Sequence, residues 1–220
     1  MADGTGKAAL FDQMARLGKA LGNGKRLELV DLLSQADHSV EELVRITGMG
    51  VTTVSAHLQT LKAAGVAVAR RRGQMMIYSL AGDDVAGLYR SVRDVAFERI
   101  AEVERAARAY LGDEPETISR DALVAAVEKG DVVVLDVRPG DEYEAGHIPG
   151  AVSIPLEQLG ERLGELPEGA RVAAYCRGAF CVLAHDAVRL LEGAGRKAVK
   201  LQDGILEWRL EDLPVETGRG

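Results

Sequence analysis

The sequence predicts two domains: a mostly α N-terminal half built on a helix-turn-helix, and a C-terminal α/β half with a parallel sheet covered by helices on both faces. Three observations predict it. Apolar residues recur at helical spacing through the first half, beginning with Leu10, Met14, Leu17 and Leu21, as amphipathic helices require. In the second half short apolar strands alternate with helices, the rhythm of a parallel sheet. Charge divides as well: residues 1–112 carry 15 Lys+Arg against 13 Asp+Glu, and residues 113–220 carry 12 against 21. The acidic half is a poor ligand for nucleic acid, whereas the first half clusters its positive charge in "ARRRGQ" at 69–74.

A chain of 220 residues suits two domains of about 100 residues, each large enough to bury a core. Its 47% hydrophobic and 28% charged residues are ordinary for a soluble protein, and no apolar run approaches the roughly 20 residues of a membrane span. The first residues, "MADGTGKAALFDQM", lack the basic-then-apolar layout of a secretory signal, so the expected location is the cytoplasm, with no membrane partner. Two cysteines make no disulfide framework. In a reducing compartment a close pair points to catalysis, redox chemistry or metal binding.

Element by element, the first helix ends at "GNGK" and a second runs through Leu27, Val30 and Leu33. In "SVEELVRITGMG", Ser39 and Glu42 form a capping box for a short helix ending at Gly48. "VTTVSAHLQTLKAAG" then places Val51, Val54, Leu58 and Leu61 on one face and closes at Gly65. Two helices joined by a glycine-bearing turn make a helix-turn-helix. "VAVAR" and "MMIYSL" read as a hairpin with "RRGQ" at its tip, which completes a winged helix. From Asp84 to Leu111 the pattern is one long helix with an apolar stripe, which needs a partner surface and so predicts a homodimer through the terminal helices of this domain. The acidic "GDEPET" at 112–117 lacks apolar periodicity and marks the boundary, giving domains 1–112 and 113–220. Beyond it come helix "SRDALVAAVEKG", buried strands "DVVVLDV" and "RVAAYC", helix "CVLAHDAVRLLEGAG", strand "KAVKL" and closing helix "GILEWRLEDLP".

Both cysteines lie in "AAYCRGAFCVLA", 173–184. Cys176 ends a strand just before a helix begins, the sheet edge where ligands bind in open parallel sheets. The backbone N–H groups of Arg177 to Cys181 are expected to wrap into a cradle at the positive end of the next helix, lowering the Cys176 pKa. Gly178 and Ala179 keep so tight a loop uncrowded; Phe180 and Cys181 complete it.

Residues 118–216 resemble a rhodanese domain, on three pieces in order: "LDVRPGDEYEAGHIPGAVSIP" at 135–155, "YCRGAFC" at 175–181 and "LQDGILEWRLEDLPV" at 201–215. The resemblance implies a persulfide formed on Cys176 from thiosulfate or another sulfane-sulfur donor and passed to a thiol acceptor. It also implies that Asp136 and Arg138 organise the floor of the site, with Arg177 in the loop, and that a six-residue loop suits sulfur rather than phosphate. No cofactor is implied. Where many rhodaneses place Ser, Thr or Arg near the end of the loop, this chain has Cys181 and Val182, which points to polysulfides or low-molecular-weight persulfides as donors. Cys181 reads either as a resolving thiol that attacks a Cys176 persulfide or as a small residue tucked under the helix start. His147 reads as a turn organiser rather than a base, Trp208 as core. A zinc site at Cys176, Cys181 and His185 has too few ligands, so no metal is expected.

"VTTVSAHLQTLKAAGVAVARRRGQMMIYSL" is similar to the ArsR/SmtB winged-helix repressors, over about residues 8–111. With Val54, Leu58 and Leu61 inward, Thr52, Thr53, Ser55, Ala56 and Gln59 occupy the outer face, with His57 at its border, as major-groove reading requires. Arg70, Arg71, Arg72 and Gln74 on the wing suit phosphate or minor-groove contact. Metal-sensing members often carry cysteines in the recognition-pair helices; "EELVRIT" has none, so any sulfur chemistry sits at Cys176 and Cys181. Two functions remain: a dimeric regulator binding operator DNA whose rhodanese domain transfers or senses sulfane sulfur, or a sulfurtransferase whose winged helix mainly dimerises or localises it.

Overall fold

In a computed structural model that describes residues 4–218, the chain divides between Ser91 and Val92 into two units. The first opens with α1 (Gly4–Leu21), α2 (Gly24–Leu33), β1 (His38–Ser39), α3 (Val40–Thr47) and α4 (Val51–Ala63), followed by the hairpin of β2 (Ala67–Arg72) and β3 (Met75–Leu80). Asn23 caps α2 by accepting from Arg26 N–H at 3.2 Å. The capping box of α3 is formed in both directions: Ser39 Oγ accepts from Glu42 N–H at 3.2 Å, and Glu42 Oε2 accepts from Ser39 N–H at 2.7 Å. Gly48 ends that helix at φ +66°, a left-handed conformation that costs glycine nothing.

The core of this unit gathers Leu29, Val30, Leu33, Leu43, Val54, Leu58, Leu61 and Tyr78. Three of the four apolar positions expected to face inward from α4 are there. Val51 is not: it is 59% exposed, because it stands in the first turn, where the helix runs past the side chains that cover the rest of the face. Gly73 (φ +63°) opens the hairpin turn, as a two-residue connection demands. Two residues of β1 add a third antiparallel strand, in the order β1-β3-β2, too short to show in the sequence pattern.

The single long helix expected from Asp84 to Leu111 is two: α5 (Asp83–Arg99) and α6 (Ala101–Leu111). Ile100 between them takes an extended conformation, φ −117° and ψ 98°. No Pro or Gly marks the break. A β-branched residue tolerates the extended region well, and tertiary packing rather than propensity decides the interruption. Arg189 donates to the carbonyls of Leu111 (2.6 Å) and Asp113 (3.3 Å), and Leu111 is buried.

The second unit carries β4 (Thr117–Ile118), α7 (Arg120–Glu128), β5 (Val132–Asp136), α8 (Gly140–Ala145), β6 (Val152–Ser153), α9 (Leu156–Arg162), β7 (Arg171–Tyr175), α10 (Val182–Gly193), β8 (Ala198–Leu201) and α11 (Ile205–Leu210). The sheet is parallel throughout, in the order β4-β8-β7-β5-β6. Strand β7 lies in the middle and is apolar on both faces. Val172 and Ala174 join Leu159, Val188 and Leu191 on one side; Ala173 and Tyr175 join Leu123, Tyr143 and Trp208 on the other. The sequence therefore builds a doubly covered sheet and leaves Cys176 at the C-terminal end of its central strand.

Candidate functional site

Cys176 is buried at the start of the loop 176–181, while Cys181 at its end is partly exposed. Cys181 N–H donates to Gly178 O at 3.1 Å, a tight turn that folds the loop back on itself. The Cys176 thiol donates to the Cys181 carbonyl at 3.4 Å, which places the two cysteines side by side at the ends of the loop. Backbone N–H groups of Gly178 and Ala184 act on the Cys176 thiol and those of Arg177 and Leu183 on Cys181, a set that differs from the Arg177-to-Cys181 run expected at the mouth of α10.

Its effect is not the one expected. Burial pushes the Cys176 thiol well above the usual cysteine range, and the neighbouring Cys181 pushes it further, outweighing the N–H groups of Ala184 and Gly178. Cys181 moves down instead, chiefly through its hydrogen bond from Cys176, with the Arg177 charge assisting against burial. Two thiols this close cannot both ionise cheaply, so the shifts of the pair run in opposite directions.

Charged groups fix the surroundings of the loop. Asp136 and Arg138, both fully buried, pair through Arg138 Nη2 at 2.6 Å and Nε at 3.0 Å, and Arg138 Nη2 also donates to Gly146 O at 2.7 Å. The guanidinium lies 5.7 Å from the Tyr175 ring. Arg177 turns to the buried Glu142 with bonds of 2.5 to 3.1 Å. Below the loop, Ile205 and Leu206 N–H donate to the carbonyls of Cys176 (3.1 Å) and Arg177 (3.4 Å). That close approach is why residue 204 is glycine: a Cβ there would lie 2.3 Å from Gly178 N and 2.5 Å from Arg177 C. His147 donates from Nδ1 to Tyr143 O at 2.9 Å and stacks on the Tyr143 ring, which holds the turn in which it sits.

On α4, Thr52, Thr53, Ala56 and Gln59 are exposed, and Ser55 and His57 are half-buried beside them. Gln59 Nε2 donates to the Tyr78 hydroxyl at 2.9 Å, so its amide is already engaged with the hairpin. On the wing, Arg70, Arg71, Arg72 and Gln74 are exposed. Arg70 pairs with Asp37 at 2.7 Å, and Arg71 Nε donates to Gly73 O at 3.0 Å.

Comparison with known families decides the affiliation. Residues 23–67 match bacterial regulatory proteins of the arsR family, and residues 119–211 match the rhodanese-like domain. The HTH-type transcriptional regulator Rv0324 of Mycobacterium tuberculosis is 51% identical over 212 residues, 96% of this chain and 94% of that protein. The chain belongs to the ArsR-family regulators that carry a rhodanese domain. A sulfurtransferase of Allochromatium vinosum is 31% identical over 90 residues, 41% of this chain and 83% of that protein. Among solved structures, the winged-helix fragment 1–100 of Mb0332 from Mycobacterium bovis, described as homodimeric, is 50% identical over 46% of this chain and 91% of its own, with a TM-score of 0.42.

The rhodanese domain of this regulator has an outer wall that lies before the matched segment. Within the second unit, Arg93 pairs with Glu207 at 2.5 Å and stands 5.8 Å from the Phe180 ring, while Phe97 packs on Phe180 with ring centres 5.6 Å apart. A groove of about 890 Å³ opens there, lined among others by Phe97, Arg108, Phe180 and Lys200. Sequence reasoning missed Arg93, Phe97 and Glu207, because nothing local ties them to the loop. Glu142, the partner of Arg177, does carry a signal: it lies inside the "LDVRPGDEYEAGHIPGA" motif.

Proposed function

We propose that the protein is a dimeric regulator that binds operator DNA through its winged helix, and that its rhodanese domain forms a persulfide on Cys176 to transfer or sense sulfane sulfur. The observation that carries this is the position of the chain's two thiols: both sit in the cradle at the mouth of α10, at the C-terminal edge of the central strand. No thiol lies in residues 1–175, so sulfur chemistry in an ArsR-family chain would act from this loop. The functional domains run 1–112 and 113–220.

On the nucleic-acid side, Thr52, Thr53, Ser55, Ala56, His57 and Gln59 read base edges in the major groove, and Arg70, Arg71, Arg72 and Gln74 follow the phosphates. The homodimer uses the terminal helices of the first domain. Leu10, Phe11 and Met14 of α1 are exposed, and so, separately, are Val92 and Val95 of α5; a second copy would cover apolar side chains of this kind. On the sulfur side, Cys176 takes sulfane sulfur from thiosulfate, polysulfide or a persulfide and gives it to a thiol, with Arg177 and the loop 178–181 enclosing it and Asp136 and Arg138 beneath. The location is the cytoplasm. Among the described residues no helix is long and apolar enough to cross a membrane.

Duplexes selected from a random library by the reduced protein provide the probe. Affinity is measured by fluorescence anisotropy across a salt series, before and after treatment with inorganic polysulfide, with the mass of the protein recorded on the same samples. A regulator shows steep salt dependence and a shift in affinity that tracks sulfur uptake, because only a ligand with different affinity for two states shifts an equilibrium. Uptake at fixed affinity identifies a sulfurtransferase whose winged helix serves dimerisation or localisation.

A further inference from the structure

We infer that Cys181 is the resolving thiol of this loop: it attacks the Cys176 persulfide and converts it into a Cys176–Cys181 disulfide, releasing hydrogen sulfide. The inference rests on the persulfide reading of Cys176 and adds a second reactive residue to it.

The geometry of the loop carries the argument. The Cys181 N–H bond to Gly178 O folds the sixth residue of the loop back toward the first, and the Cys176 thiol lies 3.4 Å from the Cys181 carbonyl oxygen. Although Cys181 occupies the N-cap position of α10, its side chain makes no capping hydrogen bond. It is also the more exposed of the two, so an acceptor or reductant from solution meets it first. The Arg177 charge also lowers the Cys181 thiol, and thiolate is the attacking species in sulfur exchange.

The steps balance. Cys176 gives up its thiol proton as it attacks a polysulfide: the S–S bond of the persulfide forms, the terminal S–S bond of the polysulfide breaks, and the proton leaves with a polysulfide one sulfur shorter. The Cys181 thiolate then attacks Cys176 Sγ; the Cys176–Cys181 bond forms, the bond to the outer sulfur breaks, and that sulfur leaves as HS⁻. Two cysteine thiols have been oxidised and one sulfane sulfur reduced, with no further oxidant. A dithiol reductant restores the pair.

The test treats the full-length reduced protein with inorganic polysulfide under anaerobic conditions, then measures intact mass, maps the modified peptides and counts free thiols. Wild type is expected to end about 2 Da below the reduced mass, with both thiols lost and sulfide released, reversed by dithiothreitol. Cys181→Ser and Cys181→Ala are expected to stop about 32 Da above the reduced mass, with the added sulfur on Cys176. The inference is overturned if wild type holds a stable persulfide on Cys176 just as the Cys181 variants do. Absence of any mass change in all three proteins would overturn the persulfide reading itself, and the resolving step with it.

Discussion

The recognition helix and the cysteine loop solve opposite problems. Helix α4 buries Val54, Leu58 and Leu61 completely and leaves Thr52, Thr53, Ala56 and Gln59 in solvent; its surface is held rigid from below and is ready for a partner. The cysteine loop turns its charges inward. Asp136, Arg138 and Glu142 are fully buried and committed to one another or to Arg177, and Cys176 is buried too. A surface that reads a partner tolerates substitution without unfolding, whereas a site that tunes one sulfur is part of the core of its domain.

The largest expected effect lies at the floor of the loop. Arg138→Met leaves Asp136 buried without its ion pair, a change that costs about 3–5 kcal/mol. Trp208, the sole tryptophan, is buried in the second unit, so its fluorescence during denaturant unfolding reports that domain directly. An unchanged midpoint would show that the floor is less committed than its geometry indicates.

Gly204→Ala comes next. The added methyl would press on the backbone of Arg177 and Gly178, and overpacking of this kind costs about 1–3 kcal/mol. Loop chemistry should suffer with stability, visible as slower sulfur uptake at temperatures where the variant is still folded.

On the other surface, Arg70→Ala, Arg71→Ala and Arg72→Ala should each leave stability within about 0.5 kcal/mol. Each should lower DNA affinity and flatten the log–log salt dependence by about 0.9 for every phosphate that is no longer neutralised. A variant that weakened folding instead would erase the contrast between the two regions.

Thiol reactivity sharpens the comparison inside the loop. Because Cys181 is shifted down and Cys176 up, iodoacetamide should modify Cys181 first, and at a pH below that of an ordinary thiol. Removing the Cys176 donor with Cys176→Ala should raise the Cys181 pKa and move its alkylation profile to higher pH. Peptide mapping across a pH series reads both; equal rates at the two cysteines would reverse the assignment.

The smallest effect belongs to the α3 cap. Ser39→Ala should cost about 1 kcal/mol. Glu42 is lowered mainly by its bond from the Ser39 backbone, so its contribution is present above the unfolded carboxylate pKa and fades as pH falls through the folded value. The stability difference between wild type and Glu42→Gln should accordingly shrink in acid, as followed by circular dichroism in urea.

Much of this protein was legible in one dimension. Helical periodicity, the Ser39–Glu42 capping box, the hairpin turn at Gly73 and the doubly apolar strands are local, set by neighbours within a few residues, so spacing and residue type suffice to read them. The same holds for the order of motifs around Cys176 and for the polar outer face of α4. Tertiary structure decided the rest. It broke the long helix at Ile100 where no Pro or Gly stands, left Val51 outside the core, and brought Arg93, Phe97 and Glu207 around a loop far from them in sequence. It also raised the Cys176 thiol where the loop alone predicts lowering, because backbone cradles and helix dipoles are predictable from a loop but the cost of burying a sulfur is not. That cost depends on every atom packed around Cys176, and those atoms come from strands and helices distant along the chain.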